Sequence, residues 1–214
     1  MRLLIYVPVV HSEAELGSLT REVRSMFLEA FSVEDWSRLR AAVDAMWDGI
    51  RNKLLALPLR WRQTRLYQDG LPVCGQEHQI VRDVAEQGSR NHQILLELMN
   101  RGATLMGTED PKLLVREYRR IKKLVQASRN RASAPAVEKL KKEGDDILRE
   151  RDEFIARRID STLGDDETGV LFLGLLHTVD EHLEDRLDVQ HLIHNLPFGS
   201  DHLKKLKELR RHGD

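Results

Sequence analysis

Three times in this chain a short apolar run gives way to a turn residue, then to a histidine or glutamate, then to a helix-start signal. Leu3-Leu4-Ile5-Tyr6-Val7 leads through Pro8 to His11 and on to Ser12 and Glu15, spaced as a Ser-x-x-Glu capping box. Val170-Leu171-Phe172-Leu173 leads through Gly174 to His177 and on to Thr178 and Glu181, spaced as a Thr-x-x-Glu box. Between them, Thr104-Leu105-Met106 leads through Gly107 to Glu109, with Asp110 as N-cap and Pro111 as first helical residue. Such junctions oblige strands to alternate with helices, and that alternation makes a mainly parallel sheet flanked by helices, an α/β fold. In an open sheet of this kind the strand-to-helix turns collect at the carboxyl edge, where ligands bind. His11, Glu109 and His177 are thereby expected to converge there.

The rest of the pattern fits that frame. A helix is expected from Ser12 to about Phe31, and a strongly amphipathic one at 34–57, where Val43, Met46, Trp47, Ile50 and Leu54 recur at helical spacing and Pro58 marks the end. Arg62 to Tyr67 reads as a strand closed by the turn Asp69-Gly70-Leu71-Pro72. One helix is expected from about Gln79 to Arg101, ended by Gly102, and another from Pro111 to about Gln126. Ala127 to Ala134 reads as a linker, and a long helix then runs from Pro135 to near Gly164. Val170 to Leu173 is apolar without alternation, as befits a strand covered on both faces. Leu187 to Ile193 is a further strand, and a short basic helix starts near Ser200. The expectation is one domain over 1–214, with helical additions at about 32–58 and 135–163.

With 34 Lys and Arg against 35 Asp and Glu, the chain is nearly neutral. That argues against a dedicated nucleic-acid binder, whose affinity rests on phosphate neutralisation, while leaving room for a local basic patch. No apolar run reaches the roughly 20 residues of a bilayer span, and the N-terminus makes a poor signal peptide. Cys74 is the single cysteine, so intrachain disulfides are excluded. These features read as cytoplasmic, with an unknown small molecule or peptide as partner and homo-oligomerisation left open. Gly-rich phosphate loops, the Gly-x-Ser-x-Gly elbow and Cys-x-x-Cys pairs are all missing from the sequence.

Two imidazoles and a carboxylate, here His11, His177 and Glu109, are a recognised set for a divalent ion such as Zn, Mn or Co. Such an ion lowers the pKa of bound water toward about 7. Helix N-termini favour anions instead, so the same geometry would also serve an anionic substrate without metal. Glu13 and Glu109 are the candidate acid–base groups, beside the simpler role of Glu13 as a first-turn helix stabiliser. Arg151 and Asp69 are the candidate substrate contacts, Arg151 because a guanidinium can clamp a carboxylate or phosphate. Asn91 and His92 are placed near a helix seam, in an inter-helix hydrogen bond or a supporting role.

Gly174-Leu175-Leu176-His177 has the form Gly-x-x-His, and it follows Arg151-Asp152-Glu153-Phe154-Ile155-Ala156 with Ile159. With Gly107-Thr108-Glu109 as an intervening carboxylate motif, this combination resembles the TraB/Tiki superfamily, which includes erythromycin esterase-like and ChaN-like proteins. The first motif departs from the family pattern, since Pro8-Val9-Val10-His11 carries proline where glycine is usual. The resemblance spans mainly 1–17, 103–118 and 149–192. It implies an α/β core and, as in Tiki-like members, metal-dependent hydrolysis. The alternative is a non-catalytic ligand-binding or regulatory protein that keeps the edge pocket, and the proline favours it.

Overall fold

Continuous apolar runs become the central strands of one sheet, because only a strand buried on both faces has use for them. In the computed structural model, which describes residues 2–10, 33–130 and 132–194, five strands form an all-parallel sheet. They are β1 (Arg2–Val9), β2 (Thr64–Gln68), β3 (Thr104–Leu105), β4 (Thr168–Gly174) and β5 (Leu187–His191), in spatial order β3-β2-β4-β1-β5. β1 and β4 are direct neighbours, in register from Leu3 opposite Thr168 to Val9 opposite Gly174.

Among the described residues five helices accompany them: α1 (Val33–Ala56), α2 (Glu77–Glu86), α3 (Arg90–Asn100), α4 (Pro111–Arg129) and α5 (Ala134–Thr162). Strand order decides which face each helix covers. Connections toward the β3 edge and those toward the β5 edge must lie on opposite faces if crossovers are right-handed. The packing agrees. Met46, Trp47 and Ile50 of α1, Val81 of α2 and Leu95 and Leu98 of α3 pack with Ile5, Leu66 and Phe172 on one face. Ile155, Ala156 and Ile159 of α5 pack with Leu4, Tyr67, Leu171 and Leu173 on the other.

The chain leaves β2 toward β3 and leaves β4 in the opposite direction, over β1 to β5. Where outgoing connections diverge, a crevice opens at the carboxyl ends of the strands. In this sheet it lies between β2 and β4.

Three expectations need correction. The single helix over 79–101 is two helices, because Gly88 takes φ +96°, open to glycine but strained for other residues. Ser89 then caps α3, its hydroxyl accepting from the His92 N–H. The Thr-x-x-Glu box after β4 does not cap a helix: Val179–His182 forms only a 3₁₀ turn with no side-chain cap. Finally, the stretch read as a linker is shorter than expected, since α4 continues to Arg129 and α5 begins at Ala134. The Asp110 cap does form, with Oδ1 accepting from the Lys112 N–H at 2.7 Å. The helix expected at 12–31 and the basic helix from 200 lie outside the described residues. No helix among the described residues is long and apolar enough to cross a membrane.

Phe172 is fully buried in the centre of the sheet, with its ring 6.3 Å from that of Trp47. Phe172→Ala should therefore cost about 3–5 kcal/mol in urea unfolding, the range for aromatic truncation in a packed core. A loss under about 1 kcal/mol would mean that this face is not packed as described.

Candidate functional site

The crevice is lined by loops that close on one another. β2 ends at Gln68, and Asp69-Gly70 turns the chain with Gly70 at φ +73°. The next residues lie against the loop after β3: the Val73 N–H donates to the Glu109 carbonyl at 2.9 Å, and the Glu109 N–H donates to the Leu71 carbonyl at 3.0 Å. Gly107 permits this approach, since a Cβ there would stand 2.9 Å from Val73 Cα and 3.1 Å from the Pro72 carbonyl oxygen. Glu109, 0% exposed, is thus pinned at both its backbone N–H and carbonyl. Its side chain also accepts from the Gly70 N–H at 2.6 Å.

α5 delivers two consecutive side chains into this frame. Arg151 donates from Nε to Glu109 Oε2 at 2.6 Å and from Nη2 to Glu109 Oε1 at 2.8 Å. The same Nη2 donates to Asp69 Oδ1 at 2.8 Å. Asp152 instead faces the loop after β4. Its Oδ1 is hydrogen-bonded to Nδ1 of His177, and its Oδ2 accepts from the Thr178 N–H at 3.0 Å. Asp69 joins the two halves: its Oδ2 accepts from the Gly174 N–H at 2.9 Å and lies 3.5 Å from His177 Nε2.

Three carboxylates, a guanidinium and an imidazole therefore share one buried crevice. Burial pushes the Glu109 carboxyl above the usual glutamate value, while Arg151 and the Gly70 N–H pull it back. Burial alone would lower Arg151, but its bonds to Glu109 and the charge of Asp69 outweigh it and hold the guanidinium above its ordinary value. The Tyr6 hydroxyl of β1 is held well above the ordinary tyrosine value by burial and by the nearby charges of Asp180, Asp152 and Asp69.

A second, neutral chain of bonds reaches the crevice from the other face of the sheet. Asn91 Nδ2 donates to Gln68 Oε1 at 2.8 Å, and Gln68 Nε2 donates to the Asp69 carbonyl at 3.1 Å. Asn91 is fully buried, as its place on the seam suggested, and its partner is the residue beside Asp69. His92 exchanges hydrogen bonds with Ser89 and so belongs to the α3 cap.

Of the residues expected at the site, Glu109, His177, Asp69 and Arg151 are brought together, whereas His11 and Glu13 lie outside the described residues. Arg151 and Asp69, expected as substrate contacts, are bound to each other, and both Glu109 oxygens are engaged by Arg151 and Gly70. Among the described residues no group of three or more His, Cys, Asp or Glu side chains is arranged to hold a metal ion. His177 Nε2 and Asp69 Oδ2 are the two facing donors that such an ion could join. Sequence reasoning missed Asp152. Asp152 stood in the Arg151-Asp152 pair already quoted, but its partner lies 25 residues away and has no periodic signature. No protein-family model, curated protein or solved structure matches this chain.

Removing one partner of a buried ion pair leaves an uncompensated charge, so Arg151→Met should cost about 3–5 kcal/mol at pH 7. The cost should depend on pH. Without the guanidinium, Glu109 rises further above its unfolded value near 4.3, so the folded chain binds the proton more tightly. The variant should then recover stability as pH falls from 8 toward about 4.5, and Arg151→Met/Glu109→Gln should show less of this dependence. A loss that stays flat across that range would contradict the ion-pair account.

Proposed function

We propose that this crevice is an acid–base site for hydrolysis of a small molecule or peptide, with His177 as the proton-transferring group and Asp152 as the residue that orients it. The observation that carries this reading is the bond from Asp152 to His177 Nδ1, which leaves Nε2 facing the crevice beside Asp69. An imidazole whose Nδ1 is fixed by a carboxylate presents a defined Nε2 lone pair, the arrangement needed in a general base. In the proposed step Nε2 takes a proton from water, the water oxygen adds to an acyl carbon, and the same proton passes to the departing group. Arg151, Glu109 and Asp69 serve as the fixed electrostatic frame.

The TraB/Tiki-like resemblance adds a divalent ion to this reading, which would increase the acidity of bound water. Of the expected ligands, His177 keeps Nε2 for it, with Asp69 Oδ2 alongside, while Glu109 is committed to Arg151. A second reading, a non-catalytic ligand-binding or regulatory protein, is favoured by the engagement of both Glu109 oxygens by Arg151.

The test is hydrolysis of a panel of p-nitrophenyl esters and fluorogenic peptides, with and without added Zn, Mn or Co. His177→Ala should lower turnover by about 10²–10⁴-fold with the fold retained by circular dichroism, and Asp152→Asn should lower it in the same direction. In the metal-dependent form, elemental analysis should find the ion in wild type and lose it in His177→Ala. Equal metal content in the two would remove His177 as a ligand. Turnover unchanged in both variants would remove the acid–base reading, and absence of turnover throughout would leave the non-catalytic one.

A further inference from the structure

α4 carries seven Lys and Arg residues against a single acid, Glu117, in a chain whose formal net charge is −1. These charges are not spread evenly around the helix. Lys112, Arg116, Arg119, Lys122 and Lys123 recur at the three- and four-residue spacing of one helix face, and all five are exposed. Leu114, Ile121 and Val125 lie on the opposite side, partly or fully buried.

Local ion pairing neutralises little of that face. Arg116 binds Glu150 of α5 at 2.6 Å, and Lys122 stands 5.4 Å over the Tyr118 ring. Lys112, Arg119 and Lys123 have no carboxylate within 4.0 Å among the described residues. The exposed side of α5 is different, because there Lys141 meets Glu138 and Arg149 meets Asp146 and Glu153.

The face is also presented to solvent rather than folded onto the sheet. Arg116 reaches Glu150 while Arg120 reaches the Leu140 carbonyl, so α4 and α5 run antiparallel. Burial on α5 begins only at Ile147, and the helix then descends to the amino edge where β4 starts. Residues 134–146 and the paired part of α4 therefore project from the carboxyl edge as a helical arm about 20 Å long.

We propose that the exposed face of α4 is a docking surface for the phosphodiester backbone of a nucleic acid, bound without base specificity. Four cations, Lys112, Arg119, Lys122 and Lys123, span about 17 Å along the axis. One nucleic-acid strand, with a phosphate every roughly 3.4 Å, places about five charges over that length, close to one per cation. A membrane surface fits less well: the only large exposed apolar side chains on this helix are Val115 and Tyr118, too little to bury in an interface. The near-neutral charge of the whole chain hides this face, of which Arg116 is the member that the α5 acids Glu150, Glu143 and Asp146 act on.

Fluorescence anisotropy of the full chain with a labelled 20-nucleotide single-stranded RNA and a duplex DNA of equal length tests the proposal. The expected result is a Kd tighter than about 100 µM at physiological salt, weakening with a log–log slope near −3 on the single strand. Arg119→Glu/Lys123→Glu should weaken binding by at least about tenfold, with the helix content unchanged by circular dichroism. Arg82→Glu/Arg90→Glu, an equal charge change on the opposite face of the sheet, should change it by less than about twofold. The proposal is overturned by equal weakening in both variants, or by no binding to either nucleic acid at about 50 mM salt. It is also overturned by binding to phosphatidylserine vesicles or polyglutamate in place of RNA and DNA.

Discussion

The carboxyl edge of this sheet is organised around one buried cation. Arg151 enters from α5 and is held by Glu109 from the loop after β3 and by Asp69 from the loop after β2. Two loops and a helix far apart in sequence are fastened at a single guanidinium. A planar group with donors in a fixed fork can bind one carboxylate with two bonds and a second with another, which an ammonium cannot do with the same geometry. Taking these charges out of water is expensive, and the cluster tolerates it only because nearly every oxygen finds a donor. Gly70 and Gly174 N–H groups supply the remaining bonds.

That saturation divides the crevice into a fixed half and an open half. Nε and Nη2 of Arg151, both oxygens of Glu109 and one oxygen of Asp69 are spent on one another. On the β4 side, Asp152 uses one oxygen to hold the loop at Thr178 and the other to orient His177. The imidazole edge that faces Asp69 at 3.5 Å makes no closer polar contact within the set. In the proposed acid–base reading proton transfer falls to His177, and the ion pair keeps Asp69 in place. Asn91 and Gln68 support the same carbonyl from across the sheet, so Asp69 is positioned from both faces.

Much of the fold was legible in the sequence because its signals are local. The apolar runs at 3–7 and 170–173 became neighbouring parallel strands, and the amphipathic repeat through Trp47 and Ile50 became α1. The break at Gly88-Ser89 was also local, but the apolar period resumes across it, and so two helices read as one. Glu109, His177, Asp69 and Arg151 could each be found from their place at a strand end or in a motif. Asp152 stood in the same motif as Arg151 but carried no sign of its role, since an acid inside a charged helix looks like any solvated residue until its partner is known.

The sequence by itself determined that strands and helices alternate, that the strands are parallel, and that strand-end residues gather at one edge. These follow from periodicity, turn residues and caps, which act within a few positions of each other. Only the tertiary structure decided what those residues do to one another. Strand order β3-β2-β4-β1-β5 sets the loops after β2 and β4 side by side, and the descent of α5 across that gap turns Arg151 into an internal counter-ion. Pairing among buried charges depends on distances between elements that no local pattern records, and a difference of a few ångströms separates a substrate clamp from a structural ion pair.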